Sequence, residues 1–303
     1  MKKIFYYIKW IINVPHMIRD RKKGTSILSF LLSKLTDLLT WRIVLPFSKD
    51  LSKQKVKIYN KLFNSQELPI MKHIIKEIRN YDFYLKSYLV AHNGIKAWEY
   101  GMLLTSCDSL KDLEILDIGP GPGTFHLLMQ EKRGAKVTCL ELNTPVCHST
   151  FDELKRRSEP LGVKIQDGTM TDMTFADETF DFITCISTIE HLHINPDTKD
   201  YIPYTEFSEK THKGLNEMCR VLKKGGRLFL TTDAYIPELS EREIPEIYNF
   251  SDIQDVFIKI LTGGGMEFIG KHDYDSEKLK NSPHYSNYRG RYCTTFSCYM
   301  IKK

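Results

Sequence analysis

Two spacings of apolar residues divide the chain. Toward the front, Ile27, Phe30, Leu31, Leu35, Leu38 and Leu39 recur at helical intervals, with Ser33, Lys34, Asp37 and Thr40 off the stripe. Gln66 to Asn80 predicts another helix with Leu68, Met71, Ile74, Ile75 and Ile78 inward, and about Gly94 to Cys107 a further one containing Trp98-Glu99-Tyr100. From Leu113 the pattern tightens. Leu113, Ile115 and Ile118 suit a buried parallel strand, Thr124 to Lys132 continues as a helix, and Val137 to Leu142 makes a second strand carrying Glu141 near its end.

The connection between that first strand and helix reads Asp117-Ile118-Gly119-Pro120-Gly121-Pro122-Gly123. Three glycines let a turn pass close to a ligand because no side chain intervenes. Glu141 follows Asp117 by twenty-four positions, about where a doubly wound fold offers a carboxylate to ribose hydroxyls. A nicotinamide fingerprint would place glycine at the sixth position of GxGxxG, and that position is Thr124. The loop therefore predicts a nucleoside site that is not of the dinucleotide type.

Glycine at every second position, preceded by an acid, resembles the first motif of class I S-adenosylmethionine-dependent methyltransferases. Downstream, Met173 to Leu192 (MTFADETFDFITCISTIEHL) resembles the fourth strand of that family, entered by the aromatic-Asp pair Phe180-Asp181 and ending near Glu-His. Asn216 to Asp233 (NEMCRVLKKGGRLFLTTD) resembles its next helix, a Gly-Gly turn at Gly225-Gly226, and a fifth strand from Arg227 to Thr232. The tail then supplies strands at roughly Glu267 to His272 and Tyr292 to Ile301. The resemblance covers about residues 95 to 303. It implies an α/β, Rossmann-like seven-stranded methyltransferase sheet with an antiparallel last strand, preceded by a helical N-terminal region.

Residue roles follow by the same resemblance. Asp117, Gly119, Gly121 and Gly123 would shape the pocket for the amino-acid end of S-adenosylmethionine. Glu141 would accept hydrogen bonds from both ribose hydroxyls, and Leu142 would cover one adenine face. Many members carry Gly-Asp after the third strand to hold the adenine amino group. Here Asp167-Gly168-Thr169-Met170 puts Thr169 in that place, with Asp167 and Asp172 as alternative carboxylates. Ile186 and Ser187 would lie beside the cofactor and face the acceptor. A base for an alcohol acceptor is sought near the strand ends, where His191, His193 and then Asp233 are the candidates. A His in the Glu-His pair equally serves to support its loop. Trp98 and Tyr100 read as core aromatics or as a border of the site. No spacing among Asp233, Asp273 and Asp275 is diagnostic of metal ligands, so no metal is assigned.

Composition adds one asymmetry. Residues 1 to 61 hold eleven Lys and three Arg against three Asp, a net charge of +11, whereas the whole 303-residue chain carries +5 and its remainder −6. Three parts are expected: a basic amphipathic helical segment over 1–62, a helical cap over 63–110, and the cofactor-binding domain over 111–303. Lys9, Pro15 and His16 interrupt the first apolar block, and Lys34, Asp37 and Arg42 the second, so neither suits a membrane span. Lys9 and the lack of a small-residue cleavage site also argue against a signal peptide. Tyr6, Tyr7, Trp10 and Trp41 suit helices lying on an anionic membrane surface through residues 1–45. The same stripe equally suits packing on the catalytic domain or on a second copy in a homo-oligomer. Seven cysteines without a CxxC pair favour a reducing, cytoplasmic setting.

Acceptor chemistry is the least constrained reading. Asn195 to Ser208 contains Tyr201, Pro203, Tyr204 and Phe207, and Asp273 to Arg291 is rich in Tyr, Ser, Asn and His. Both would lie above the carboxyl ends of the strands, where open α/β sheets bind ligands. They suit a hydroxyl-rich small-molecule or glycan acceptor. The expectation is O-methylation of a sugar or of a glycan or glycolipid precursor at the cytoplasmic membrane face. Rivals are another small molecule or lipid, nucleic acid, a nicotinamide oxidoreductase, and a cofactor-binding protein without turnover. Nucleic acid is disfavoured because the basic segment lacks an RNA-binding motif and the catalytic portion is not basic.

Overall fold

The structure is a computed structural model that describes residues 60–62, 95–107, 109–121, 123, 125–145, 147–198, 200–235, 248–249, 253–274, 286–288 and 291–303. The expectations placed on residues 1–59, on the helix at 66–80 and on most of 273–291 lie outside the described residues.

In chain order the strands are β1 (Asn60–Leu62), β2 (Glu114–Ile118), β3 (Lys136–Glu141), β4 (Lys164–Asp167), β5 (Phe180–Ile186), β6 (Leu222–Tyr235), β7 (Tyr248–Asn249), β8 (Met266–Phe268), β9 (His272–Asp273), β10 (Ser286–Tyr288) and β11 (Arg291–Lys302). The helices are α1 (Ile95–Ser106), α2 (Phe125–Arg133), α3 (His148–Ser158), α4 (Tyr204–Val221) and α5 (Lys259–Gly263). Seven strands make the expected sheet, in the order β4-β3-β2-β5-β6-β11-β8. β2 to β6 run parallel, and β11 runs antiparallel to β6, from Cys293 opposite Tyr235 to Ile301 opposite Arg227. Burial on both faces explains the continuous apolar runs: four of the five residues of β2 and four of the six of β3 are buried.

One face carries Leu116, Ile118, Leu140, Ile183, Cys185, Leu228 and Leu230, packed against Phe207, Leu215 and Met218 of α4, Phe257 just ahead of α5 and Leu261 within it. Each fully buried side chain of this size contributes about 1.5–3 kcal/mol relative to exposure. The alternate residues Ile115, Asp117, Cys139, Phe182, Thr184 and Phe229 point the other way, as strand geometry requires. There Trp98, Met102 and Leu103 of α1 are fully buried, and the Cys107 sulfur lies 3.7 Å from the Tyr299 hydroxyl.

Three departures from the sequence pattern have physical causes. β6 extends well beyond Arg227–Thr232, because the Gly225-Gly226 turn is a bulge inside it: pairing with β5 steps from Phe180–Leu222 to Phe182–Arg227. A side chain on Gly226 would meet the Lys223 carbonyl at 2.7 Å, so the bulge requires glycine. The expected sixth strand at 267–272 is two pieces, β8 and β9, with a glycine of φ +80°, Gly270, between them. Asn60–Leu62, at the end of the segment read as helical, is a strand that pairs antiparallel with β11 and parallel with β9. Three residues leave too little periodicity to be read beforehand.

Candidate functional site

The strand order reverses between β2 and β5, which are neighbours although their successors run outward in opposite directions. Open α/β sheets bind ligands at the carboxyl ends of such strands. The glycine loop leaves β2 there and the chain after Ile186 leaves β5 beside it. Gly119 has φ +63° and Gly121 φ +55°, and the Gly119 amide donates to the Leu140 carbonyl at 2.9 Å. A Cβ on Gly119 would lie 2.1 Å from Thr188 Cγ2. The Thr188 hydroxyl in turn donates to the Gly119 carbonyl at 3.0 Å, so the two walls of the crevice are joined.

Glu141, the last residue of β3, faces this loop. Its Oε2 accepts from the Gly121 amide at 3.0 Å and its Oε1 from the Leu142 amide at 3.1 Å. Burial pushes its pKa up, against the opposing effect of those two hydrogen bonds. Asp117 is buried opposite Cys139 and Thr184 in the sheet register. Burial lifts its pKa to about 7; the Thr184 hydroxyl, donating at 2.8 Å, opposes the rise, and the Glu141 charge adds to it. A ring nitrogen of His126, a carboxylate oxygen of Asp117 and the Cys139 sulfur lie within 4.8 Å of one another, all buried. His126 Nε2 is shared with the Ser158 hydroxyl at 2.8 Å. A cavity of about 130 Å³ lies between the glycine loop and α3, lined by Gly121, Gly123, Thr150, Glu153, Leu154, Arg157 and Ser158. None of its lining residues comes from the β5 side, so it is not where an acceptor meets the strand ends.

On that side Ser187 holds φ +46°, a left-handed conformation that is uncommon for a residue with a Cβ. Its amide donates to the Thr231 carbonyl and hydroxyl, both at 3.1 Å. The Ser187 and Thr231 hydroxyls both donate to Glu99 Oε1, each at 2.5 Å. Glu99 comes from α1, is fully buried, and pairs through Oε2 with Lys96 at 2.9 Å. The next residue, Tyr100, is also buried and stacks on Phe125 with ring centroids 4.5 Å apart. Its hydroxyl would sit 3.2 Å from a Cβ on Gly123. Trp98 belongs to the core.

The candidate bases occupy unequal settings. His193 is buried, with Nδ1 against the Glu190 carbonyl and its ring stacked on Tyr201 at 5.3 Å, which makes it a brace of the Ile189–His193 3₁₀ turn. His191, in the same turn, is exposed; the surrounding protein, then the His193 and Lys96 charges, lower its pKa. Asp233 on β6 accepts from the Thr295 hydroxyl at 3.1 Å. Its pKa rises to about 6, through burial first; Lys96 opposes the rise and Glu99 adds to it. Glu190 is buried and accepts from the Thr232 hydroxyl at 3.1 Å. Burial, and then the Asp233 charge, push it to about 8, while Lys96 opposes. The shifts thus run in opposite directions, down for the His191 imidazole and up for the Asp233 and Glu190 carboxyls.

At the adenine end, Asp167 accepts from the Asn143 amide at 3.1 Å, and Thr169 shares its hydroxyl with Thr171 at 3.0 Å. Asp172 is exposed. Met170 turns into the core, 3.5 Å through its sulfur from the Cβ position of Gly214, so its side chain packs rather than borders an opening. The stretch 195–208 is also less of a loop than expected: Ile194 bridges to Tyr201, and α4 begins at Tyr204. Phe207 is core, while Tyr201 and Tyr204 are 46% and 49% exposed. Sequence reading did not select Lys96, Glu99, Thr188 or Glu190. The signal at Glu99 and Lys96 is a pair of charges in an otherwise apolar helix, and the signal at Glu190 is an acid at the end of a buried run.

Residues 116–230 match the protein family described as a methyltransferase domain. The chain is 30% identical over 144 residues to the uncharacterized methyltransferase YcgJ of Bacillus subtilis, covering 46% of this chain and 48% of that one. It is 27% identical over 136 residues to the uncharacterized protein MJ0638 of Methanocaldococcus jannaschii, covering 44% and 46%. The chain thus spans about half the length of the curated relatives it matches. Among solved structures, it resembles geranyl diphosphate C-methyltransferase of Streptomyces coelicolor at TM-score 0.49 and 15% identity, over 74% of this chain and 86% of that one.

Proposed function

We propose, for a chain whose residues 116–230 match a methyltransferase domain, that the whole protein is an S-adenosylmethionine-dependent enzyme that transfers methyl groups to a hydroxyl-bearing small molecule, a sugar or a glycan or glycolipid precursor. The observation that carries the cofactor part is the Glu141 carboxylate at the switch point, held by the Gly121 and Leu142 amides against the glycine loop. Its two oxygens match the two hydroxyls of a ribose. A cradle at Gly119 that a Cβ would fill matches the close backbone approach expected of the amino-acid end.

S-adenosylmethionine, when bound, supplies a methyl group on an electrophilic sulfonium. The chain's own task is to hold an acceptor oxygen in line with that group, to keep water out, and to take one proton. Asp117 and the glycine loop bind the amino-acid end, Glu141 the ribose, and Leu142 and Thr169 the adenine. Ile186 and Ser187 form the wall between cofactor and acceptor. The proton that the acceptor hydroxyl gives up on transfer would pass to Asp233. This aspartate is preferred because burial raises its pKa toward neutrality, whereas His193 is held against the Glu190 carbonyl and the pKa of His191 is lowered.

The exposed rings of Tyr201 and Tyr204 favour a sugar face as acceptor. The net charge of +11 over residues 1–61 favours an anionic membrane surface as the place where it is met. Among the described residues no helix is long and apolar enough to cross a membrane. Transfer of labelled methyl from S-adenosylmethionine to sugars, glycolipid extracts and RNA tests the reading. Label in the carbohydrate fraction, lost in Asp233→Asn, is expected; label in RNA alone would overturn the acceptor class. Deleting residues 1–45 should abolish binding to anionic vesicles, and unchanged vesicle affinity would remove the membrane part.

A further inference from the structure

Consecutive residues of α1 grip both walls of the cofactor crevice. Tyr100 lies against the glycine loop at Gly123 and is fixed by its stack on Phe125. Glu99 receives the hydroxyls of Ser187 and Thr231 on one carboxylate oxygen and pairs with Lys96 through the other. The helix thereby spans from the end of β2 to the end of β5 and to Thr231 within β6, and the bond from Thr188 to Gly119 closes the loop of contacts.

Ser187 is the strained member of this ring. A serine at φ +46° persists only where surrounding contacts over-determine it. Four such contacts are present: its amide to the carbonyl and hydroxyl of Thr231, its hydroxyl to Glu99, and Thr231 itself held by Glu99. Three of the four involve the Glu99 carboxylate or the hydroxyl it orients. Burying a carboxylate is costly unless it is paired and hydrogen-bonded, and Lys96 and the two hydroxyls meet that cost at one point beside the site.

We propose that Glu99 is a positioning residue that holds the chain after β5 in its left-handed turn, so that the cofactor wall at Ile186–Ser187 is set before ligand arrives. This rests on the cofactor reading given above. Glu99 touches no reacting atom. It acts through Ser187 and Thr231.

The test uses glycine's tolerance of positive φ. Binding of S-adenosylhomocysteine to the full chain is measured by calorimetry, with thermal melting to establish that each variant folds. Glu99→Ala is expected to weaken binding about tenfold, the scale of a strained turn set free, and Glu99→Gln less, since its amide oxygen still accepts. In a Ser187→Gly background, Glu99→Ala should cost less than about twofold, because the turn no longer needs its brace. Independently, Ser187→Ala should bind more weakly than Ser187→Gly, although glycine is the smaller. Equal losses from Glu99→Ala in both backgrounds, or Ser187→Gly weaker than Ser187→Ala, would overturn the proposal. Absence of binding by the unsubstituted chain would instead refute the cofactor reading, so the two failures are distinguishable.

Discussion

Thr188 donates its hydroxyl to the carbonyl of Gly119 at 3.0 Å, across 69 residues of sequence. That bond joins the glycine loop to the chain leaving the neighbouring strand, and the methyl of the same threonine fills the space where a Cβ on Gly119 would stand.

Gly119→Ala should therefore fail twice, by collision with Thr188 Cγ2 and by forcing a Cβ into φ +63°. A loss of about 1–3 kcal/mol in stability is expected, together with loss of S-adenosylhomocysteine binding. Adding Thr188→Ser removes the colliding methyl and keeps the hydroxyl, and should restore part of the stability but not the unstrained backbone. Urea denaturation of the two variants measures both effects.

Glu190 has a pKa near 8 in the folded protein against an ordinary 4.5, chiefly through burial. An acid raised on folding binds its proton more tightly in the native state, so its contribution to stability falls as pH rises from about 4.5 to about 8. Glu190→Gln keeps an acceptor for Thr232 and loses that slope. The melting temperature of the variant relative to the parent should rise between pH 5 and pH 8, by several degrees. A difference that stays constant with pH would mean that Glu190 does not hold its proton in the folded state.

Arg220 on α4 clamps the segment ahead of β5. It donates to the carbonyls of Met173 and Phe175 at 2.9 and 2.8 Å and to Asp177 and Glu217 at 2.7 to 2.8 Å. Arg220→Ala leaves partly buried carbonyls without that donor and should cost about 1–3 kcal/mol. Arg220→Lys should recover little of it, because a single ammonium cannot reproduce a planar fork reaching four partners. Chemical denaturation reads both, and an unchanged midpoint for Arg220→Ala would show that the segment is held without the clamp.

The parts of this protein visible in its sequence are those with local signatures. The apolar runs at Leu113–Ile118 and Val137–Leu142 mark strands because both sheet faces are covered. The alternating glycines mark a loop because only glycine meets its backbone demands. Glu141 is found by its distance from Asp117. Contacts between distant segments leave no such trace: Glu99 meets Ser187 across 88 residues and Thr231 across 132. Met170 stands next to Thr169 in sequence yet faces the core, where it packs beside Gly214 of α4. His191 and His193 are conspicuous as titratable residues, but the turn makes His193 a brace, and burial raises the pKa of the Asp117, Glu190 and Asp233 carboxyls instead.

The central claim is that the pocket formed by the glycine loop and Glu141 holds S-adenosylmethionine. Calorimetric titration of the full chain with S-adenosylmethionine and, separately, with NADH tests it most directly, repeated on Glu141→Ala. Micromolar binding of S-adenosylmethionine alone, weakened at least about tenfold by losing the carboxylate that would receive two ribose hydroxyls, is the predicted result. Binding of NADH in preference, or S-adenosylmethionine affinity indifferent to Glu141, would contradict it.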